Sequence, residues 1–283
     1  MRDARPAVFE TVKDEPLVRV VGLSKQYVQR RGLGRRAFGL VAFEDVHLAI
    51  HRGRTLAIVG ESGAGKSTLA KCLALLEKPT AGEIWFEGKN LFARGDRRGR
   101  LAMHRRVQLI FQDPTTALNP RFTAEEIITE PLVIQKMGTK DARRLRAQEL
   151  MEQVGLPARS AAKRPLEFSG GQRQRLAIAR ALALEPKLLI LDEALSSLDL
   201  VNQQTILKLL ADLRETHSLT YIHISHDLRA VAEFADDVAV MSERRIVEQK
   251  PAAELFAHPE HPDTQALFAA MPSLESIYQR RLA

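Results

Sequence analysis

The chain has 283 residues, room for one large domain or for one domain with an appendage, and its 45% hydrophobic and 27% charged residues are ordinary for a globular protein. No uncharged apolar run approaches the ~18 residues of a membrane-crossing helix, and the charged start Met1-Arg2-Asp3-Ala4-Arg5-Pro6 lacks the apolar core of a signal peptide. The single cysteine, Cys72, excludes an internal disulfide framework and any cysteine-based metal or iron–sulfur site, so a reducing, cytoplasmic setting is expected. The net charge of +7 gathers at Arg30-Arg31, Arg35-Arg36 and along Arg94, Arg97, Arg98, Arg100, Arg105 and Arg106. Such clusters suit nucleic acid, an anionic membrane face or a plain solvated surface.

In chain order, residues 1–16 are charged and aperiodic, which predicts a loose leader. Leu17-Val18-Arg19-Val20-Val21 and the alternating Phe43-Glu44-Asp45-Val46-His47-Leu48-Ala49-Ile50 predict strands. Tyr27 closes the first, and a Gly- and Arg-rich loop is expected over 29–39. Leu56-Ala57-Ile58-Val59 predicts a buried strand and 68–76 a helix. Between them stands Gly60-Glu61-Ser62-Gly63-Ala64-Gly65-Lys66-Ser67-Thr68, the pattern G-x-x-x-x-G-K-[ST] in the strand–loop–helix setting of a phosphate-binding loop. Glycines let successive backbone N–H groups turn inward as an anion cradle, and the helix N-terminus adds partial positive charge. Lys66 is placed to reach the β- and γ-phosphates of a nucleoside triphosphate, and Ser67 to hold Mg²⁺. Cys72 reads as a small core residue of the following helix.

Glu83-Ile84-Trp85-Phe86-Glu87 predicts another short strand. Beyond Phe111-Gln112-Asp113-Pro114 the pattern turns helical from 123 to about 156, until Pro157 and Pro165 break it. A helix over 172–184 precedes the near-continuous apolar strand Lys187-Leu188-Leu189-Ile190-Leu191. Helices over 202–216 and 228–235 then alternate with strands over 219–225 and 237–241, which predicts a three-layer α/β domain. At the end of the apolar strand come Asp192 and Glu193, where α/β sheets place their ligands. Asp192 can bind the Mg²⁺ shell, and Glu193 can polarise a water aimed at the γ-phosphate.

Phe168-Ser169-Gly170-Gly171-Gln172-Arg173-Gln174-Arg175 puts a serine and two glycines at a helix start, a second anion-binding end in one chain. This stretch resembles the LSGGQ signature of ABC-type ATPases. The resemblance implies a P-loop NTPase of ABC type, with an antiparallel β subdomain and an α-helical subdomain inserted over about 113–170. It also implies that two subunits pack head to tail, so Ser169, Gly170, Gly171 and Gln172 close on the partner's ATP. Gln112 resembles the Q-loop glutamine that touches Mg²⁺ and the attacking water. His226, in Ile224-Ser225-His226-Asp227, resembles the switch histidine at the γ-phosphate. Ser196-Ser197-Leu198-Asp199 looks like the D-loop that crosses the interface. Tyr27 looks like the A-loop aromatic that stacks on adenine, with a strand-end tyrosine packed on the core as the competing reading. Phe168 replaces the usual Leu and Ala194 a frequent Pro, and neither change removes a functional group.

The resemblance covers roughly 17–270 and assigns 17–245 to the ATPase domain and 246–283 to a C-terminal extension. Ala117-Leu118-Asn119-Pro120-Arg121 and His261-Pro262-Asp263-Thr264-Gln265-Ala266-Leu267 are similar to the oligopeptide, dipeptide and nickel importer ATPases, although Tyr is usual where Asp263 stands. The run 191–200 leans slightly towards nickel-type members. Some relatives carry a C-terminal iron–sulfur cluster; with no cysteine there, none is expected. The resemblance implies a peripheral subunit on the cytoplasmic face of the inner membrane. Its implied partners are a second, usually different ATPase subunit, two transmembrane permease subunits and an extracytoplasmic solute-binding protein. An ABC-type ATPase acting on nucleic acid is the rival, resting on the basic clusters alone; nucleic acid is not an expected partner.

Overall fold

The computed structural model describes residues 15–29, 38–93, 97–269 and 277–278. Residues 1–14 of the expected leader, the pairs Arg30-Arg31 and Arg35-Arg36, and Arg94 lie outside them. The chain opens with two long strands, β1 (Val18–Gln29) and β2 (Phe38–Ile50), then β3 (Thr55–Val59) and helix α1 (Lys66–Leu73). Strands β4 (Ala81–Phe86) and β5 (Lys89–Asn90), helix α2 (Arg97–Arg106) and strand β6 (Val107–Ile110) follow. Next come the helices α3 (Pro114–Ala117), α4 (Ala124–Ile134), α5 (Lys140–Gln153) and α6 (Gly170–Leu182). Strands and helices then alternate: β7 (Leu188–Asp192), α7 (Leu200–His217), β8 (Thr220–Ile224), α8 (Leu228–Phe234) and β9 (Asp237–Ser242). The described chain ends in β10 (Arg245–Pro251), α9 (Ala252–Ala257) and α10 (Pro262–Ala269), with Tyr278 packed beyond them.

Two sheets form. The antiparallel one has the order β2-β1-β4-β5, and the six-stranded one β10-β9-β3-β8-β7-β6. In the second, β9, β3, β8, β7 and β6 run parallel, and only β10 runs against its neighbour. Every residue of β3, β7 and β8 is buried, as continuous apolar runs demand when helices cover both faces. Because successive side chains point to opposite faces, the sheet divides its residues between separate cores. Leu189, Leu191 and Tyr221 join α4, α5, α6 and α7 on one side. Leu188, Ile190, Ile222 and Ile224 join α1 and the antiparallel sheet on the other. At β3, Leu56 and Ile58 enter that second core, while Ala57 and Val59 meet α8, α9 and α10 in a third. The signature helix α6 and the loop helix α1 are therefore rooted in different cores.

Three of the elements that the sequence did not announce show how little local signal they carry. β6 is four residues long and holds Gln108. β10, Arg-Ile-Val-Glu-Gln-Lys-Pro, is a polar edge strand. The third, α2, is dominated by arginine. The expected helix over 68–76 stops at Leu73, and Leu75 turns through φ 59°. β1 and β2 reach into the expected loop from both ends, to Gln29 and back to Phe38.

Glu87, in the turn between β4 and β5, ties the layers together. It accepts hydrogen bonds from Arg52 (2.8 Å), Lys187 (2.7 Å) and Arg106, so one carboxylate joins the antiparallel sheet to the ends of α2 and β7. Arg106 also lies 4.8 Å from the Phe86 ring centre, which gives that member of the basic run a structural task. Burial opposes the charge of Glu87, but Lys187, Arg52 and Arg106 outweigh it and hold the carboxyl at about 2. A folded value below the unfolded one stabilises the fold above the unfolded value, and the benefit is lost as pH falls through the folded value. Glu87→Gln is therefore expected to cost about 1–2 kcal/mol in urea unfolding at pH 7, with a smaller difference from the parent at pH ~3.5.

Candidate active site

The site is built on the carboxyl ends of the parallel strands. β3 delivers the loop 60–68, its neighbour β8 delivers His226, and β7, next to β8, delivers the Asp192–Glu193 pair. The loop fits only because two of its residues lack a side chain. A Cβ on Gly60 (φ +147°) would sit 2.0 Å from the Met241 carbonyl oxygen, and one on Gly65 (φ +104°) 2.2 Å from that of Ala42. Strands β9 and β2 thus press the loop from two sides. Glu61, Ser62 and Gly63 are exposed, whereas Ala64 is buried.

Lys66 is 4% exposed and donates to the carbonyls of Gly60 (2.8 Å) and Glu61 (2.7 Å). Burial pulls its ammonium below the ordinary value, against the opposing pull of Glu193 and Asp192. Next to it, the Ser67 hydroxyl donates to Asp192 Oδ1 at 2.8 Å. Burial raises Asp192, the hydrogen bond from Ser67 resists, and the nearby charge of Glu193 raises it further. A desolvated carboxylate beside a hydroxyl offers hard oxygen ligands of the kind Mg²⁺ takes together with phosphate oxygens. Among the described residues no group of three His, Cys, Asp or Glu is arranged to hold a metal unaided.

Glu193 leaves β7 through φ 48°, a left-handed conformation that costs an L-residue about 1–2 kcal/mol. Its N–H donates to the Ile224 carbonyl (3.0 Å), and its own carbonyl accepts from the Ser196 hydroxyl (2.8 Å). Held this way, its carboxylate lies 3.6 Å from His226 Nδ1. Gln112 follows β6, whose Ile110 is paired with Leu191, so it emerges at the same sheet end as Glu193. Tyr27 stands near the end of β1, and its hydroxyl donates to Glu77 Oε2.

Ser169, Gly170 and Gln172 are exposed at the start of α6, and Gly171 is packed against Asn202. Ser169 and Gln172 form a capping box: the serine oxygen accepts from Gln172 N (3.3 Å), and the glutamine oxygen accepts from Ser169 N (3.0 Å). Asp199 caps α7 by accepting from Asn202 N at 2.9 Å. The fold thus gathers Lys66, Ser67, Asp192, Glu193 and His226, and places Ser169 at the start of α6 and Asp199 at the start of α7. Sequence reading missed Glu77, which accepts from the Tyr27 hydroxyl, and Met241, whose carbonyl faces Gly60. Glu77 lies outside every motif, and Met241 acts through its backbone, so neither left a signal. It also missed a cavity of about 910 Å³ beside the loop, walled by residues 60–64, the β9–β10 turn and Asp263, Ala266 and Leu267 of α10.

A glycine loop between a buried parallel strand and a helix, with a lysine, a serine and a strand-end carboxylate converging on it, defines a P-loop nucleoside triphosphatase. The family model described as ABC transporter matches residues 43–196, and the chain belongs to that family as one of its ATP-binding, ATP-hydrolysing subunits. It is 40% identical over 271 residues to the dipeptide transport ATP-binding protein DppF of Haemophilus influenzae, covering 96% of this chain and 83% of that one. It is 42% identical to the oligopeptide transport ATP-binding protein OppF of Bacillus subtilis, covering 94% and 86%. Among solved structures, the ATP-binding cassette MJ0796, a dimer in a post-hydrolysis state bound to ADP and Pi, superposes with a TM-score of 0.72 at 30% identity, covering 83% and 98%. CbiO1 of Clostridium perfringens, part of the ABC transporter complex cbiONQ, superposes with a TM-score of 0.74 at 28% identity, covering 94% and 99%.

The glycines give a graded test. Gly63 also has positive φ (+85°), yet a Cβ there would meet nothing within 4 Å. Gly63→Ala should cost about 1 kcal/mol of backbone strain, and Gly65→Ala about 2 kcal/mol more, because the loop or β2 must also move. Differential scanning calorimetry should rank melting temperatures parent, Gly63→Ala, Gly65→Ala, and mant-ATP titration should show the weakest binding in the last.

Proposed function

We propose that this chain powers an importer of short peptides across the cytoplasmic membrane, as one of two ATPase subunits bound head to tail. The observation that carries the paired arrangement is the placement of the two anion-binding helix ends. The loop 60–68 is rooted in the core that holds α1, and Ser169–Gln172 in the core on the other face of the same sheet. Two ends separated by their own sheet serve one nucleotide best when each is offered to a facing subunit. The dimeric state of the MJ0796 cassette supports this reading. The dipeptide and oligopeptide transport names of the relatives support the cargo. Nickel, the other cargo of that importer group, is the outcome a transport assay must exclude. No comparison favours nucleic acid.

In this reading the loop amides and Lys66 bind the phosphates, and Tyr27 stacks on the adenine. Glu61, Ser62, Gly63, Ala64, Gly65 and Thr68 shape the cradle with Gly60. Ser67, Asp192 and Gln112 would hold Mg²⁺, which neutralises charge on the phosphates when bound. Glu193 accepts a proton from the attacking water, and His226, held beside it, faces the γ-phosphate. Ser169, Gly170, Gly171, Gln172 and Asp199 complete the facing subunit's site. No described helix is long and apolar enough to cross a membrane. From its likeness to transport ATP-binding proteins, we infer a peripheral subunit on the cytoplasmic face, joined to two permease subunits that a solute-binding protein supplies. A partner ATPase of different sequence is the pairing we favour.

Glu193→Gln removes the proton acceptor and leaves the phosphate cradle intact. Its ATP turnover should fall about 10²–10⁴-fold while mant-ATP affinity holds, and ATP should accumulate a closed pair visible by analytical ultracentrifugation. Parental turnover in that variant would remove Glu193 from the chemistry.

A further inference from the structure

Tyr27 is held by contacts that no nucleotide-binding motif accounts for. Its hydroxyl donates to Glu77 Oε2, with the Thr68 side chain close enough to act on it electrostatically. Glu77 lies just beyond α1, where its N–H donates to the Lys71 carbonyl at 3.1 Å. Thr68 sits in the first turn of the same helix, as part of the phosphate loop. One tyrosine hydroxyl is thus tied to the residue that follows α1, with the first turn of that helix close by. Lys25 completes the set. Its ammonium lies 3.3 Å from Glu77 Oε2, donates to the Lys78 carbonyl at 2.8 Å and stands 4.8 Å from the centre of the Tyr27 ring. Thr80 adds a further tie through its Oγ1, which accepts from Gln26 N at 2.9 Å.

We propose that Glu77 is a positioning residue for the nucleobase, fixing the Tyr27 ring at a set distance and tilt from the phosphate loop so that adenine stacks on the ring while the phosphates reach Lys66. This rests on the reading of Tyr27 as the adenine platform. Stacking needs the ring plane held still, and an aromatic at the end of a strand has two free torsions to lose. The Glu77 carboxylate stops the ring by gripping its far end. Lys25 covers one face, which leaves the opposite face for the base and draws electron density from the ring towards that cation. The charge state fits a working clamp. Burial opposes ionisation of Glu77, but the hydrogen bonds from Tyr27 and Lys25 overcome it and keep the carboxyl below its usual range. Burial, and then the acceptor carboxylate, push the Tyr27 phenol above its own, so it stays a donor at neutral pH. Glu77 is separated from Tyr27 by 50 positions, and only the return of α1 against the end of β1 brings the two together.

The test compares ATP with inorganic tripolyphosphate, which carries the phosphates and no base. Equilibrium binding to the full-length chain would be measured for the parent, Glu77→Ala, Glu77→Gln, Tyr27→Phe, Tyr27→Ala and the double variant Tyr27→Phe/Glu77→Ala. Tyr27→Ala should weaken ATP about tenfold or more, the worth of a base–aromatic stack. Glu77→Ala and Tyr27→Phe should each weaken ATP about fivefold, and the double variant no further, since both remove one shared contact. Glu77→Gln, whose amide oxygen still accepts from the phenol, should recover part of the loss. Tripolyphosphate affinity should stay parental throughout. If Glu77→Ala weakens tripolyphosphate as much as ATP, Glu77 merely supports the fold and the proposal fails. If Tyr27→Ala weakens ATP but Glu77→Ala does not, the clamp alone is overturned. Unchanged ATP affinity in Tyr27→Ala would remove the adenine platform and the clamp with it.

Discussion

The 2.8 Å hydrogen bond from the Ser67 hydroxyl to Asp192 Oδ1 joins two segments 125 positions apart and fixes where the chemistry sits. Asp192 is buried at the end of β7, where a bare carboxylate is poorly solvated and needs a partner. Ser67 supplies one from the first turn of α1. The strand order makes the meeting possible. β3 and β7 flank β8, so the phosphate loop, His226 and the carboxylate pair emerge side by side at one end of the sheet. Each neighbour is under constraint: Gly60 and Gly65 allow the backbone of β9 and β2 to close on the loop, and Glu193 is turned inward at positive φ.

The same sheet that carries the phosphate loop divides it from the helix that begins at Ser169. Alternation along β7 and β8 sends Leu189, Leu191 and Tyr221 into the core beneath the signature helix. It sends Leu188, Ile190, Ile222 and Ile224 into the core beneath the loop helix. A chain built like this has two anion-binding helix ends and a sheet between them. Head-to-tail pairing answers that geometry, and we propose it as the route by which hydrolysis becomes coupled to a second subunit and thence to the membrane.

Much of this was legible in the residues. The pattern at 60–68 carries its own backbone requirement, and β7 announced itself as a near-continuous apolar run because both faces are covered. Ser169–Gln172 was legible as a helix start, and the capping box uses the serine and glutamine that made it recognisable. Elements built on weaker local preference were not. β10 is polar and held by its edge pairing with β9, and β6 is too short for periodicity to register. Nothing in the sequence singles out Glu87 or Glu77. Their meaning comes from Arg106, Lys187, Tyr27 and Lys25, which arrive from distant parts of the chain. Tertiary contacts between single residues leave no pattern in one sequence. Glu193 adds a further case, since nothing in its identity foretold the positive φ that aims it at His226.

The measurement closest to the central claim is vanadate trapping of a photoreactive ATP analogue in the assembled transporter carrying Ser169→Ala in this chain alone. Head-to-tail pairing requires the trapped label to vanish from the partner ATPase and to persist on the loop 60–68 of this chain. Loss of label from this chain's own loop, with the partner still labelled, would show that the signature serves its own nucleotide and would contradict the pairing.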